Sequence, residues 1–281
     1  MDIAKRSFVV YNSFGDPVYG DIRIGRGCAS APVILCSHGF AGFKDWGSVP
    51  YMAERFAGNG FCIVTFNFSH SGIGASGEKF TDPEKFADNT ISFELDDLKS
   101  LLFAIRERRI SEMEGSDPES IVLLGHSRGG GVSIITAKEN PFVKGVAVWG
   151  SIAAFDRWTE RQKRLWREKG QMHLRNVYAL KMLPSFLDDI EANAKRMNIL
   201  DAVSHLQCPL LVVHGEQDLT VPVDEARKLY AAGDPARTTL VVIPNTGHVF
   251  GAEHPFKGSN AALDNAIELT AQFFKEIIAP E

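Results

Sequence analysis

Ile121-Val122-Leu123-Leu124-Gly125-His126-Ser127-Arg128-Gly129-Gly130-Gly131 is the stretch on which the reading of this chain turns. Four aliphatic residues in succession suit a buried strand. Residues 130–140 have helical character. Between the two lies Gly-x-Ser-x-Gly. A strand that breaks sharply into a helix holds Ser127 on a strained corner with its hydroxyl exposed. Glycines on both sides leave room where the backbone crowds itself. The helix start aims N–H groups at charge developing beside the serine. The bland alternative is a glycine-rich connection with an incidental serine, so the surrounding chain has to decide.

Outward from that corner, strands and helices alternate. Residues 8–11 and 18–24 flank Asn12-Ser13-Phe14-Gly15-Asp16-Pro17 and predict an edge hairpin. Further strands are expected at 32–36, 61–66, 121–124, 143–149, 210–214 and 239–243. Helices are expected at about 49–57, 91–109, 130–140, 224–232 and 262–277. Strand, helix, strand in this order indicates parallel pairing with right-handed crossovers. The expected class is therefore α/β: a doubly wound, mostly parallel sheet of eight strands with helices on both faces and an antiparallel N-terminal edge. Residues 151–206 break the alternation. Trp158, Leu165 and Trp166 lie at helical spacing, and Val177, Leu180 and Leu183 predict a second short helix before Pro184. This segment reads as a small helical cap inserted in a core formed by residues 1–150 and 207–281.

Bulk properties narrow the function. With 281 residues and 44% hydrophobic content, the chain can bury one large core. A net charge of -5 gives no basic face for nucleic acid. No apolar run reaches membrane-spanning length, and the N-terminus lacks the apolar core of a secretory signal. Cys28, Cys36, Cys62 and Cys208 have no metal-ligand spacing and read as reduced residues of a cytoplasmic protein.

A serine hydroxyl is a poor nucleophile until a base takes its proton and a carboxylate orients that base. Both partners should follow later strands, on the rim that carries Ser127. Asp218 lies just past the 210–214 strand, with Glu216 and Asp224 as competing acids. His248 follows the 239–243 strand through Pro244-Asn245-Thr246-Gly247. The oxyanion of acyl transfer needs two N–H donors. Arg128 supplies the one after the nucleophile, and Phe40, following His38-Gly39, supplies the other. His38 reads as a support for its turn and His214 as the close of a strand. His70, His173, His205 and His254 carry no motif context and default to surface or cap roles.

On these residues the chain resembles serine hydrolases of the α/β-hydrolase superfamily over essentially its full length. Ser37-His38-Gly39-Phe40-Ala41-Gly42-Phe43-Lys44, with Asn67-Phe68-Ser69-His70-Ser71-Gly72-Ile73-Gly74 downstream, resembles bacterial esterases of the cinnamoyl or feruloyl type, which carry a small cap. Two departures stand out. Arg128 occupies a position where those esterases often carry Gln. Dienelactone hydrolases share the fold but use a cysteine nucleophile, so Ser127 argues against their activity. The resemblance implies cleavage of small to medium acyl or aryl esters of carboxylic acids, hydroxycinnamoyl esters among the candidates, through an acyl-enzyme, with neither metal nor organic cofactor. Thioesterase and acylglycerol lipase are the alternatives within enzymes; a non-catalytic ligand receptor is the alternative outside them. The expected pocket lies between sheet rim and cap, with Phe43, Trp46, Trp158 and Trp166 as aromatic walls. The basic run from Arg157 to Arg175 reads either as a solvated helix face or as an attractor of anionic substrates.

Overall fold

The computed structural model describes residues 2–74, 79–174 and 180–279. The chain opens with β1 (Ile3–Tyr11) and β2 (Pro17–Gly25), paired antiparallel from Ile3–Gly25 to Tyr11–Pro17. The Asn12 side chain closes their turn by accepting from the N–H groups of Phe14 and Asp16, the local bonding that suits Asn to turns. Next come β3 (Ala31–Ser37), α1 (Val49–Gly58), β4 (Cys62–Phe66), α2 (Pro83–Asp88), α3 (Ile91–Arg106), β5 (Ser116–His126), α4 (Arg128–Glu139) and β6 (Gly145–Trp149). The segment after β6 holds α5 (Glu160–Lys169), β7 (Met172–His173), β8 (Lys181–Met182), α6 (Ser185–Ala192) and α7 (Ile199–Ser204). The chain closes with β9 (Leu210–Gly215), α8 (Val223–Ala232), β10 (Thr238–Ile243) and α9 (Ala261–Ile278).

Eight strands form one sheet in the order β1-β2-β4-β3-β5-β6-β9-β10. The six from β4 to β10 run parallel, and β2 joins β4 antiparallel. Because side chains alternate across a strand, each strand feeds two cores. Val33, Leu35 and Leu123 face the side covered by α3, α4, α7 and α8. Ile34, Cys36 and Leu124 face the side covered by α1 and α9. Helices on both faces are what a parallel sheet requires. Among the described residues no helix is long and apolar enough to cross a membrane.

Several elements differ from the expectation. Among the described residues no helix leads directly into Pro184: Lys181 and Met182 pair with Met172 and His173 as a short ribbon, and α6 starts at Ser185. Val177 and Arg175, which entered the sequence reading, lie outside the described residues. β5 starts at Ser116, ahead of its apolar run, because its pairing with β3 shifts register between Pro32 and Val33. The short α2 has no helical periodicity long enough to read; Asp82 caps it through Lys85 N–H.

Candidate active site

Ser127 stands at the junction of β5 and α4 with φ 55° and ψ -119°. Positive φ is strained for a residue with a Cβ. The fold pins it there: Ser127 N–H donates to Trp149 O at 2.8 Å, and Ser127 O accepts from Gly130 N–H at 3.0 Å. Close approach explains the glycine that follows. A Cβ on Gly129 would lie 2.5 Å from the carbonyl oxygens of both Ser37 and His38. The first turn of α4 thus packs against the end of β3, which brings the His38-Gly39-Phe40 turn against the serine. A Cβ on Gly39 would lie 2.9 Å from Ser127 Cβ. Arg128 is the first residue of α4, so its N–H has no partner within the helix.

Asp218 and His248 meet on the same rim. His248 Nδ1 donates to Asp218 Oδ2 at 2.7 Å. Asp218 Oδ1 accepts from the N–H groups of Thr220 and Val221, each at 2.8 Å. Burial opposes the charge of Asp218, but hydrogen bonds from His214, His248 and Val221 N–H outweigh it and hold the carboxyl below the usual range. A carboxylate fixed in this way sets the His248 tautomer, leaving Nε2 to take a proton. Ser127 and His248 line one cavity. No hydrogen bond joins their side chains in this structure; such bonds commonly tighten only when substrate is bound.

Three histidines that carried no catalytic role support this arrangement. His214 Nε2 donates to Val221 O at 2.8 Å and lies 3.3 Å from Asp218 Oδ2. Its position four residues before Asp218 was the signal available in sequence. His126 Nε2 donates to His248 O at 3.0 Å, so the residue beside Ser127 holds the His248 loop. Burial pushes its imidazole down to about 3. His38 donates from Nδ1 to Gly39 O at 2.8 Å and accepts at Nε2 from Phe68 N–H at 3.2 Å. Burial pushes it down to about 4, which keeps it neutral beneath the His38-Gly39-Phe40 turn. Two surface or cap assignments fail. His70 is buried and stacks on Phe93 at 3.9 Å. His254 accepts from Gly47 N–H at 3.0 Å and packs against Phe43 and Trp46.

The Arg128 side chain was also unread. It is buried, ion-paired with Glu94 on α3, and lies 4.7 Å from the centre of the Phe40 ring. Asn89 Nδ2 donates to the same Glu94 oxygen at 2.7 Å. Burial raises the Glu94 pKa and lowers that of Arg128, as low dielectric disfavours either charge.

The cavity at Ser127 measures about 270 Å³. Phe43 and Trp46 line it, as does Phe40. Trp158 and Trp166 do not: their rings pack on each other at 5.3 Å and on Phe186, and Trp166 Nε1 donates to Met182 O. The cavity lies below the rim on the α1 and α9 side, and no described residue of the segment after β6 lines it. The basic run there is largely paired with acids. Arg157 meets Glu225, Lys163 meets Asp156 and Glu160, and Arg167 meets Asp188 and Glu191. Among the described residues no three ligating side chains converge on a metal site. All four cysteines are free.

Comparison with known proteins now bears on this geometry. The chain is 26% identical over 214 residues to lysophosphatidylserine lipase ABHD12 of Danio rerio, covering 72% of this chain and 47% of that protein. It therefore spans less than two thirds of the length of that relative. Among solved structures, the esterase domain of a Rhodothermus marinus protein superposes with TM-score 0.65 at 20% identity, covering 98% and 99% of the two chains. Est1E from Butyrivibrio proteoclasticus superposes with TM-score 0.68 at 16% identity, covering 97% and 99%. The family model described as "Alpha/beta hydrolase family" matches residues 33–262. The chain belongs to the alpha/beta hydrolase family.

Proposed function

We propose that this protein is a serine hydrolase that cleaves carboxylic esters of small to medium acyl or aryl groups. The observation that carries the reading is the pairing of a strained Ser127 with His248 on one cavity, while Asp218 holds the far nitrogen of that histidine. In this reading His248 Nε2 takes the Ser127 proton as the hydroxyl attacks the ester carbonyl. Asp218 stabilises the imidazolium. The N–H groups of Phe40 and Arg128 bind the oxyanion, each worth roughly 3–4 kcal/mol of transition-state stabilisation. His248 then protonates the leaving alcohol, and a water molecule repeats the attack on the acyl-enzyme. A helical cap over residues 151–206, a reducing cytoplasmic setting for the free cysteines, and small-molecule rather than nucleic-acid substrates belong to the same proposal.

Two of these similar proteins shape the substrate question. Ferulic acid is bound in one Est1E structure, which supports testing hydroxycinnamoyl esters. The lipase name of the Danio rerio relative supports a second reading, hydrolysis of acylglycerol or lysophospholipid esters. Initial rates on p-nitrophenyl esters, methyl ferulate, a monoacylglycerol and an acyl thioester decide among these. The wild type is expected to turn over at least one oxygen ester, with Ser127→Ala lowering kcat by about 10⁴-fold or more. Retention of near-normal hydrolysis by Ser127→Ala would contradict the proposal.

A further inference from the structure

The cavity at Ser127 has a direction set by strand order. β3 and β4 lie on one side of β5, whereas β6, β9 and β10 lie on the other. Asp218 and His248 follow β9 and β10. An ester carbonyl at Ser127 has three substituents to place. Its oxygen goes to the oxyanion donors, and its leaving oxygen must reach His248 for protonation. The acyl group is left to point the other way, toward β3 and β4. The cavity extends to that side: Cys36 on β3, Phe43 and Lys44 in the loop that follows it, Thr65 and Phe66 on β4, and Met52 on α1 line it. Cys36 and Thr65 are register partners, so this lobe lies on the sheet itself, beneath α1.

We infer that the acyl group of the substrate is held in this β3–β4 lobe, that it is uncharged, and that Met52 sets its length. The inference rests on the serine-hydrolase reading of Ser127. Size and charge limit the acyl group. An apolar hole of roughly 150 Å³ admits benzene, so a cavity of about 270 Å³ takes a medium acyl chain or a substituted ring, not a long lipid tail. Lys44 is the cation on the wall, but Asp21 at 2.7 Å and Asp45 already engage its ammonium. A carboxylate-ended acyl group would have to compete with Asp21 and Asp45 for the Lys44 ammonium; with Lys5 bridging Asp21 at 3.2 Å the cluster is already charge-balanced, so the wall offers no unshared cation to a carboxylate. Met52 is buried on the sheet-facing side of α1 in the same core as Cys36. Its unbranched, flexible side chain is suited to yielding or filling at the end of a chain-binding lobe.

The test is kcat/KM on p-nitrophenyl acetate, butanoate, hexanoate and octanoate, and on a carboxylate-ended acyl ester of hexanoate's length. The enzymes are wild type, Met52→Trp, Met52→Ala, Trp158→Ala and Ser127→Ala. Met52→Trp is expected to lose about 10-fold or more on hexanoate and octanoate while acetate changes little, since each methylene in an apolar pocket is worth roughly a factor of 10. Met52→Ala moves the optimum to longer chains, and Trp158→Ala leaves the profile unchanged. The carboxylate-ended ester runs about 10-fold or more below hexanoate, the size of an unfavourable charge contact of roughly 1.4 kcal/mol. An unchanged chain-length profile in Met52→Ala overturns the inference even if Met52→Trp fails to fold. A profile that shifts in Trp158→Ala, or equal rates for the charged and neutral esters, does so as well. Undiminished hydrolysis by Ser127→Ala is a different outcome, which removes the parent reading.

Discussion

At Ser127 the backbone sits at positive φ, a conformation that costs about 1–3 kcal/mol for a residue with a side chain. The surrounding bonds to Trp149 and from Gly130 hold it there. The same economy governs Asp218, whose two oxygens are shared among His248, His214 and two backbone N–H groups. Replacing Asp218 with Asn should leave the pocket open but favour the wrong His248 tautomer. The expected loss is about 10⁴-fold in kcat with little change in KM. His214→Leu should lower kcat by less, because Asp218 keeps its other three partners. Steady-state kinetics check both, and a His214→Leu loss as deep as Asp218→Asn would contradict the ranking. That Ser127, Asp218 and His248 share one rim was legible because each follows a recognisable strand with turn residues around it. The roles of His126 and of the Arg128 side chain were not, and His214 left only its spacing of four residues from Asp218 as a trace. His126 acts through the carbonyl of His248 and Arg128 through Glu94, partners far away in the chain of which sequence spacing carries no record.

The junction between β5 and α4 is the element on which the site depends. Gly129 and Gly131 both lie in the first turn of α4, yet a side chain at each would meet different things. At Gly129 a Cβ would press on the Ser37 and His38 carbonyls, which belong to the end of β3 and the oxyanion turn. At Gly131 it would lie 2.6 Å from Ile199 Cδ1, the mobile end of a side chain on α7. Gly129→Ala is therefore expected to cost at least the roughly 1–3 kcal/mol typical of overpacking and to lower kcat sharply. Gly131→Ala should change stability less and leave turnover near wild type. Thermal melts with matched kinetics check this; equal effects of the two would contradict it. All eight strands of the main sheet were readable from apolar runs and turns. The ribbon of β7 and β8 was not, since two residues per strand are too few for an alternating pattern.

Across the whole molecule, buried titratable groups set the response to acid. His38 and His126 are held down to about 4 and about 3 by burial, so the fold keeps them neutral while the unfolded chain protonates them below about 6.5. Their stabilising contribution is present above that value and is lost as pH falls. Asp97 works the other way. Burial raises it to about 7, against bonds from Asn12 and Ser69. Its folded form holds a proton that the unfolded chain has released, so it favours the fold increasingly as pH drops toward 4. From these three groups, near pH 5 the unfolded chain binds two protons and the folded chain one. Stability should fall by about 1.4 kcal/mol per unit of acidification. Asp97→Asn removes the opposing group and should steepen the decline of Tm between pH 6 and 4.5; a shallower decline would contradict the assignment. The class of fold was evident from strand and helix alternation, whereas the pocket was misplaced. Aromatic residues at 158 and 166 signal burial equally well in a wall or a core, and the packing of both rings on each other and on Phe186 distinguishes the two.

The most direct test of the central claim is intact-mass analysis after treatment with an alkyl fluorophosphonate, followed by peptide mapping. An activated Ser127 predicts one adduct per chain on the peptide that contains it, absent in Ser127→Ala and slowed in His248→Ala. An unlabelled wild type, or an adduct that persists in Ser127→Ala, would contradict the account.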